Sequence, residues 1–132
     1  MDEISIDNVV ASLLYFLPCQ FATRSDLIGE TFYKFQQNEE YKDLLKDLWF
    51  IDEREGHYSP LLERAFARLQ ESRLLMTLSP DYRFYVSTEE TRQSIRKYYL
   101  DEGKILYDYC DVLKTMAKEL NEVLEKTDER NQ

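Results

Sequence analysis

The run Ser59-Pro60-Leu61-Leu62-Glu63-Arg64-Ala65-Phe66-Ala67-Arg68-Leu69 is followed by Leu74-Leu75-Met76-Thr77-Leu78, by Ser79-Pro80-Asp81-Tyr82-Arg83 and by Phe84-Tyr85-Val86. Ser59 before Pro60 is a helix start, because a hydroxyl accepts an orphan amide and proline fits the first helical position. Leu61, Leu62, Ala65, Phe66 and Leu69 then recur at helical spacing, leaving Glu63, Arg64, Ala67, Arg68 and Glu71 outward. Two short apolar runs flanking a Pro-Asp bend predict a β-hairpin directly after this helix.

Working outward, residues 9–17 carry Val9, Val10, Leu13, Leu14 and Leu17 at helical spacing, with Asp7 or Asn8 as cap and Pro18 as stop. A second helix is predicted from Thr23 or Ser25, with Thr23 and Asp26 as a capping box and Leu27, Ile28, Phe32 and Phe35 on one face. Asn38 closes it, and a short amphipathic helix is predicted over residues 39–49, with Tyr41, Leu44, Leu45, Leu48 and Trp49 inward. Residues 52–56 read as a charged loop ending in glycine.

Ser87 and Glu90 form a second capping box, opening a helix of about 40 residues in which only Gly103 is weak. Ile95, Tyr99, Glu102, Leu106, Tyr109, Leu113, Met116, Leu120 and Val123 fall on heptad spacing. Such a stripe covers the domain's own helices or pairs with a second copy, and in the second case Tyr99, Leu106, Tyr109, Leu113, Met116 and Leu120 form the dimer seam. The fold class expected is mainly α with a small β-hairpin. Residues 1–90 make the compact domain, 91–127 the long C-terminal helix and 128–132 a frayed polar tail.

Composition bounds the function. The 132 residues, 43% of them hydrophobic, suffice for one core. The opening Met1-Asp2-Glu3 has no basic leader, and no apolar run approaches the ~20 residues of a membrane span. Cys19 and Cys110 stand alone in apolar contexts as small hydrophobes, which suits a reducing cytoplasm and offers no metal-ligand spacing. A net charge of -9 repels phosphate on average. Residues 59–88 differ: four arginines against three acids leave +1, with about -10 on the rest.

Chemistry-bearing motifs are missing. A triad would rest on His57 alone, three glycines make no phosphate cradle or dinucleotide fingerprint, and the carboxylates alternate with lysines on helix exteriors. Neither an enzyme nor a cofactor is expected.

The order of three helices and a two-stranded wing resembles the winged-helix superfamily. The wording of residues 58–90 is similar to the recognition helix, wing and exit of PadR-like and MarR-like regulators, families that tend to place a dimerising helix after the wing. Gly56-His57-Tyr58-Ser59-Pro60 also resembles the Gly-Pro-Tyr-Ser helix start of Panacea-type antitoxin domains, which bind a toxin protein, although His57 replaces the proline. The resemblance implies a non-catalytic regulatory module that docks a protein partner or its own twin. The alternative is a dimeric DNA-binding transcriptional regulator, and a third reading is an acidic nucleic-acid mimic that inhibits a basic enzyme. Arg64, Arg68, Tyr82 and Arg83 are the residues expected to touch DNA or a partner.

Overall fold

The computed structural model describes residues 4–53 and 56–130. It is mainly α with two small antiparallel sheets, in the order α1 (Ile6–Phe16), β1 (Gln20–Ala22), α2 (Ser25–Gln36), β2 (Ile51–Glu53), β3 (Gly56–Tyr58), α3 (Pro60–Glu71), β4 (Met76–Thr77), β5 (Phe84–Val86), α4 (Glu89–Ile95) and α5 (Cys110–Arg130). The fold class expected from the sequence is observed, with a second hairpin and an extra strand added.

α1 is capped by Ser5, two or three residues earlier than expected, its Oγ accepting the Asn8 amide at 3.2 Å. Asp7 instead sits in the first turn, where a carboxylate favours the helix dipole. Ser12 and every apolar residue from Val9 to Leu14 are buried, because α3, α4 and α5 all pack on α1. α2 begins at Ser25 without the expected capping box: Thr23 Oγ1 donates instead to the Tyr82 carbonyl at 2.8 Å, tying the helix entry to the second hairpin.

Residues 39–49 are not a helix. The apolar side chains Tyr41, Leu44, Leu45 and Leu48 are buried as the spacing demands, while Trp49 is 54% exposed. The backbone closes i to i+3 turns, as from Leu44 to Tyr41 and Leu48 to Leu45. Gln36 Nε2 takes the Leu45 and Leu48 carbonyls at 2.8 and 2.7 Å. A segment this short has little helical stability of its own, so side-chain burial and these bonds determine its path.

The expected charged loop contains a hairpin, β2 pairing with β3 in the register Ile51↔Tyr58, Asp52↔His57 and Glu53↔Gly56. α3 starts as the sequence indicates, Ser59 Oγ accepting the Leu62 amide and Pro60 at the first position. It ends in a Schellman arrangement in which the Leu74 amide reaches the Leu69 carbonyl and the Arg73 amide reaches Gln70. Arg73 occupies the left-handed position there with φ 63°, where glycine is usual. Arg73→Gly is therefore expected to raise stability by about 0.5–1 kcal/mol, measurable by urea denaturation.

The sheet has the order β1-β5-β4, with Phe21 opposite Tyr85 and Met76 opposite Val86. β1 was not anticipated. The turn carries a cis Ser79-Pro80 bond and closes through the Tyr82 amide on the Leu78 carbonyl, with Tyr82 at φ 56°.

The single long helix is corrected to two helices. Thr88, not Ser87, caps α4, its Oγ1 accepting the Thr91 amide at 3.1 Å. A π-helical turn at Arg96–Leu100 follows, and Asp101 leaves the helix in an extended conformation, bonded through Oδ1 to Arg96 Nε at 2.9 Å. Gly103 at φ 85° lets the chain reverse before the 3-10 turn Tyr107–Tyr109 leads into α5. The backbone expected to fray from residue 128 is helical to Arg130, and residues 131–132 lie outside the described residues. α5 packs on α1, α2 and β1, which buries Leu113, Met116, Ala117, Leu120 and Leu124.

Candidate functional site: the outer face of α3 and the β4–β5 hairpin

The outward face of α3 shows Glu63, Arg64, Ala67, Arg68 and Glu71 to solvent, as its periodicity requires. The four residues expected to make contacts are all exposed. Their charges are not equally free. Arg68 Nη1 pairs with Asp7 Oδ2 of α1, so one of the two helix arginines is committed to holding α1 against α3. Arg64 and Arg83 have no ion-pair partner among the described residues, and neither does Arg73 at the end of α3.

The β4–β5 hairpin carries an exposed apolar strip. Met76, Leu78 and Tyr82 are 48%, 43% and 58% exposed. Met76 and Leu78 are two residues apart and so share one face of the strand. Tyr82 stands in the turn that follows, where its amide bonds the Leu78 carbonyl. β4 is an edge strand, so this strip borders open backbone. Two non-glycine residues in the left-handed region, Arg73 and Tyr82, bracket the same surface.

The residues proposed as a dimer seam are used differently. Leu106, Leu113, Met116 and Leu120 are 0% exposed within the single chain, while Tyr99 and Tyr109 are partly buried against the same core. The aliphatic part of the heptad stripe is thus core, and the outward face of α5 is polar, with Lys114, Lys118, Glu122 and Glu125.

His57 is held, not free. Its ring stacks on Tyr33 with centroids 3.4 Å apart and planes 7° apart, Nδ1 lies 2.9 Å from Glu30 Oε2, and Nε2 lies 3.3 Å from Asp52 Oδ1. Glu30 Oε2 also accepts the His57 amide at 3.0 Å. Ser59, two residues along the chain, is buried as the α3 cap. Both ring nitrogens therefore face carboxylates, and the arrangement docks the β2–β3 hairpin on α2. Gly56 is required beneath it: at φ 137° a side chain is strained, and a Cβ would stand 2.9 Å from Glu30 Oε2.

The bond from the His57 ring, followed by the His57 amide, holds Glu30 below its ordinary carboxylate range against the opposing effect of burial. A carboxyl depressed on folding contributes stability that is present above its unfolded value of about 4.3 and lost as pH falls through the folded value. Protection of the Gly56 and His57 amides, with the intrinsic pH dependence of exchange divided out, is accordingly expected to fall in the wild type as pH drops below the ordinary carboxylate range, with Glu30→Gln removing that pH step.

Free Cys19 and Cys110 are half-buried, and burial pushes the Cys110 thiol up. Among the described residues no group of three or more His, Cys, Asp or Glu side chains is arranged so that it could hold a metal ion, and no helix is long and apolar enough to cross a membrane. Comparison with family models, with curated proteins and with solved structures finds no match.

Proposed function

We propose that the chain is a non-catalytic, winged-helix-like interaction module that docks a protein partner through α3 and the β4–β5 hairpin, the hairpin serving as the wing. The observation that carries this reading is the exposure of Met76, Leu78 and Tyr82 on the β4–β5 hairpin, which also carries Arg83, a cation with no ion-pair partner among the described residues. Tyrosine, methionine and arginine are the residues enriched where proteins bind proteins, and a central apolar anchor with a charged rim is the usual anatomy of such a surface.

Retaining Arg73 and Tyr82 in strained backbone on that surface supports a use for their side chains. The engagement of Arg68 by Asp7, and the exposed acids Glu63 and Glu71 on α3 and Asp81 in the hairpin turn, weaken the face as a phosphate reader. A net charge of -9 works in the same direction.

The order of α2, α3 and hairpin, with Arg64 and Arg83 free, favours a second reading as a DNA-binding regulator. Fluorescence anisotropy of a labelled mixed-sequence duplex at ~50 mM salt separates the two, since a groove reader binds nonspecifically at about 10⁻⁴ to 10⁻⁶ M or tighter. The protein-docking reading predicts no titration in this range. Salt-sensitive binding abolished by the double change Arg64→Glu and Arg83→Glu would overturn it in favour of the regulator.

A further inference from the structure

α2 packs chiefly on β3 and α5, whereas α3 packs on α1, so the two helices do not close on each other. β3 holds them apart: the His57 carbonyl sits where a Cβ on Gly29 would be only 3.0 Å away. What remains between α2 and α3 is a cleft of about 280 Å3, near the lower bound of the ~300–1,000 Å3 typical of ligand sites. Its apolar wall is aromatic, the Phe66 and Tyr85 rings stacking with centroids 5.5 Å apart and planes 19° apart.

The polar side of the cleft has one sign. Glu63 is the one charged residue among the described residues that line it. The Tyr58 hydroxyl donates to Glu63 Oε2 at 2.8 Å, which fixes the carboxylate and leaves Oε1 without a hydrogen-bond partner among the described residues. Both tyrosines register the field. Tyr58 is raised first by its bond to Glu63, and Tyr85 is raised by burial and then by the Glu63 charge. At the positive end of α2, on the Thr23 side, the Asp26 carboxylate is held first by Arg24 at 2.8 Å and also by the Leu27 amide, so both charges there are already engaged.

We infer that this cleft is a binding site for a small organic cation, an amine carried on a flat apolar body, with the ammonium on Glu63 and the body against Phe66 and Tyr85. An anion is repelled by Glu63. A neutral ligand leaves the carboxylate without a counter-charge, whereas an ammonium supplies it while the apolar body packs on the aromatic wall. Nothing in the protein-docking reading requires this site, and the inference stands apart from it.

The test is a titration of the full chain at neutral pH with phenethylamine, 2-phenylethanol and phenylacetate in turn, followed by amide shifts in nitrogen-15 NMR. Phenethylamine is expected to give saturable shifts at Gly29, Glu63, Ala67 and Gln70 with a dissociation constant of about 1 mM or tighter, about tenfold ahead of the alcohol. Glu63→Gln, which can still accept from Tyr58, is expected to bring the amine and the alcohol level. Ala67→Leu fills the cleft while keeping Glu63, and is expected to abolish binding of all three. Equal binding of the three probes, no saturable shift, shifts outside the cleft, a preference that survives Glu63→Gln, or binding that survives Ala67→Leu would each overturn the inference.

Discussion

Leu120→Ala lowers the unfolding free energy by about 2–5 kcal/mol and leaves the association state unchanged. Leu120 is 0% exposed, as are Leu113 and Met116 on the same side of α5. Deleting three carbons at such a site loses the transfer free energy of those atoms and opens a cavity that neighbouring side chains fill only in part. Because these residues are buried within one chain, the denaturation midpoint of the variant is expected to be independent of protein concentration. Loss of a dimer with little loss of stability, seen by sedimentation and urea denaturation together, would place the stripe at a seam between copies.

Phe32→Ala is expected to cost about 3–5 kcal/mol, the larger effect of the two. Phe32 is 0% exposed and meets Phe35 edge to face at 5.6 Å, and Phe35 in turn meets Tyr41 at 5.2 Å. Tyr41 continues the chain of contacts, its hydroxyl donating to Glu119 Oε1 of α5 at 3.0 Å. Burial together with that bond pushes it up to about 12. Losing the Phe32 ring therefore loosens the turns of residues 38–48 as well as α2. Faster amide exchange at Leu44 and Leu45 should accompany the drop in stability. Trp49→Ala, by contrast, removes a larger side chain from a 54% exposed position and should change stability by no more than about 0.5 kcal/mol.

These residues also mark where the sequence was legible. α1, α2, α3 and the β4–β5 hairpin follow from apolar spacing, the Ser59 cap and the Pro-Asp bend, because each signal is local, whereas the caps of α1 and α2 differ from those expected. β1 is three residues long, too short to display alternation, and exists through its pairing with β5. Over residues 39–49 the same spacing of Tyr41, Leu44, Leu45 and Leu48 serves a helix and a run of i to i+3 turns, so periodicity identified what is buried and missed the backbone. The break after Leu100 depends on an Arg96–Asp101 bond and one glycine, a weak signal inside an otherwise continuous pattern. A heptad stripe shows that a face is apolar, not which chain covers it.

The candidate surface divides in the same way. Exposure of Arg64, Tyr82 and Arg83 is dictated by position on a helix face and a turn, and the structure places them there. The pairing of Arg68 with Asp7 joins residues 61 positions apart and has no local signature. The cleft beside α3 is likewise a product of packing: β3 must first be inserted between α2 and α3 before Glu63 and Tyr85 can share a space.

The most direct test of protein docking is photocrosslinking in cells that natively carry the chain, with p-benzoylphenylalanine replacing Tyr82 and, in a second sample, Lys118 on the polar face of α5. The account predicts a discrete protein adduct from position 82, absent from position 118 and lost when Met76→Asp and Leu78→Asp are combined. No adduct at 82, the same adduct at both positions, or an adduct to nucleic acid would contradict it.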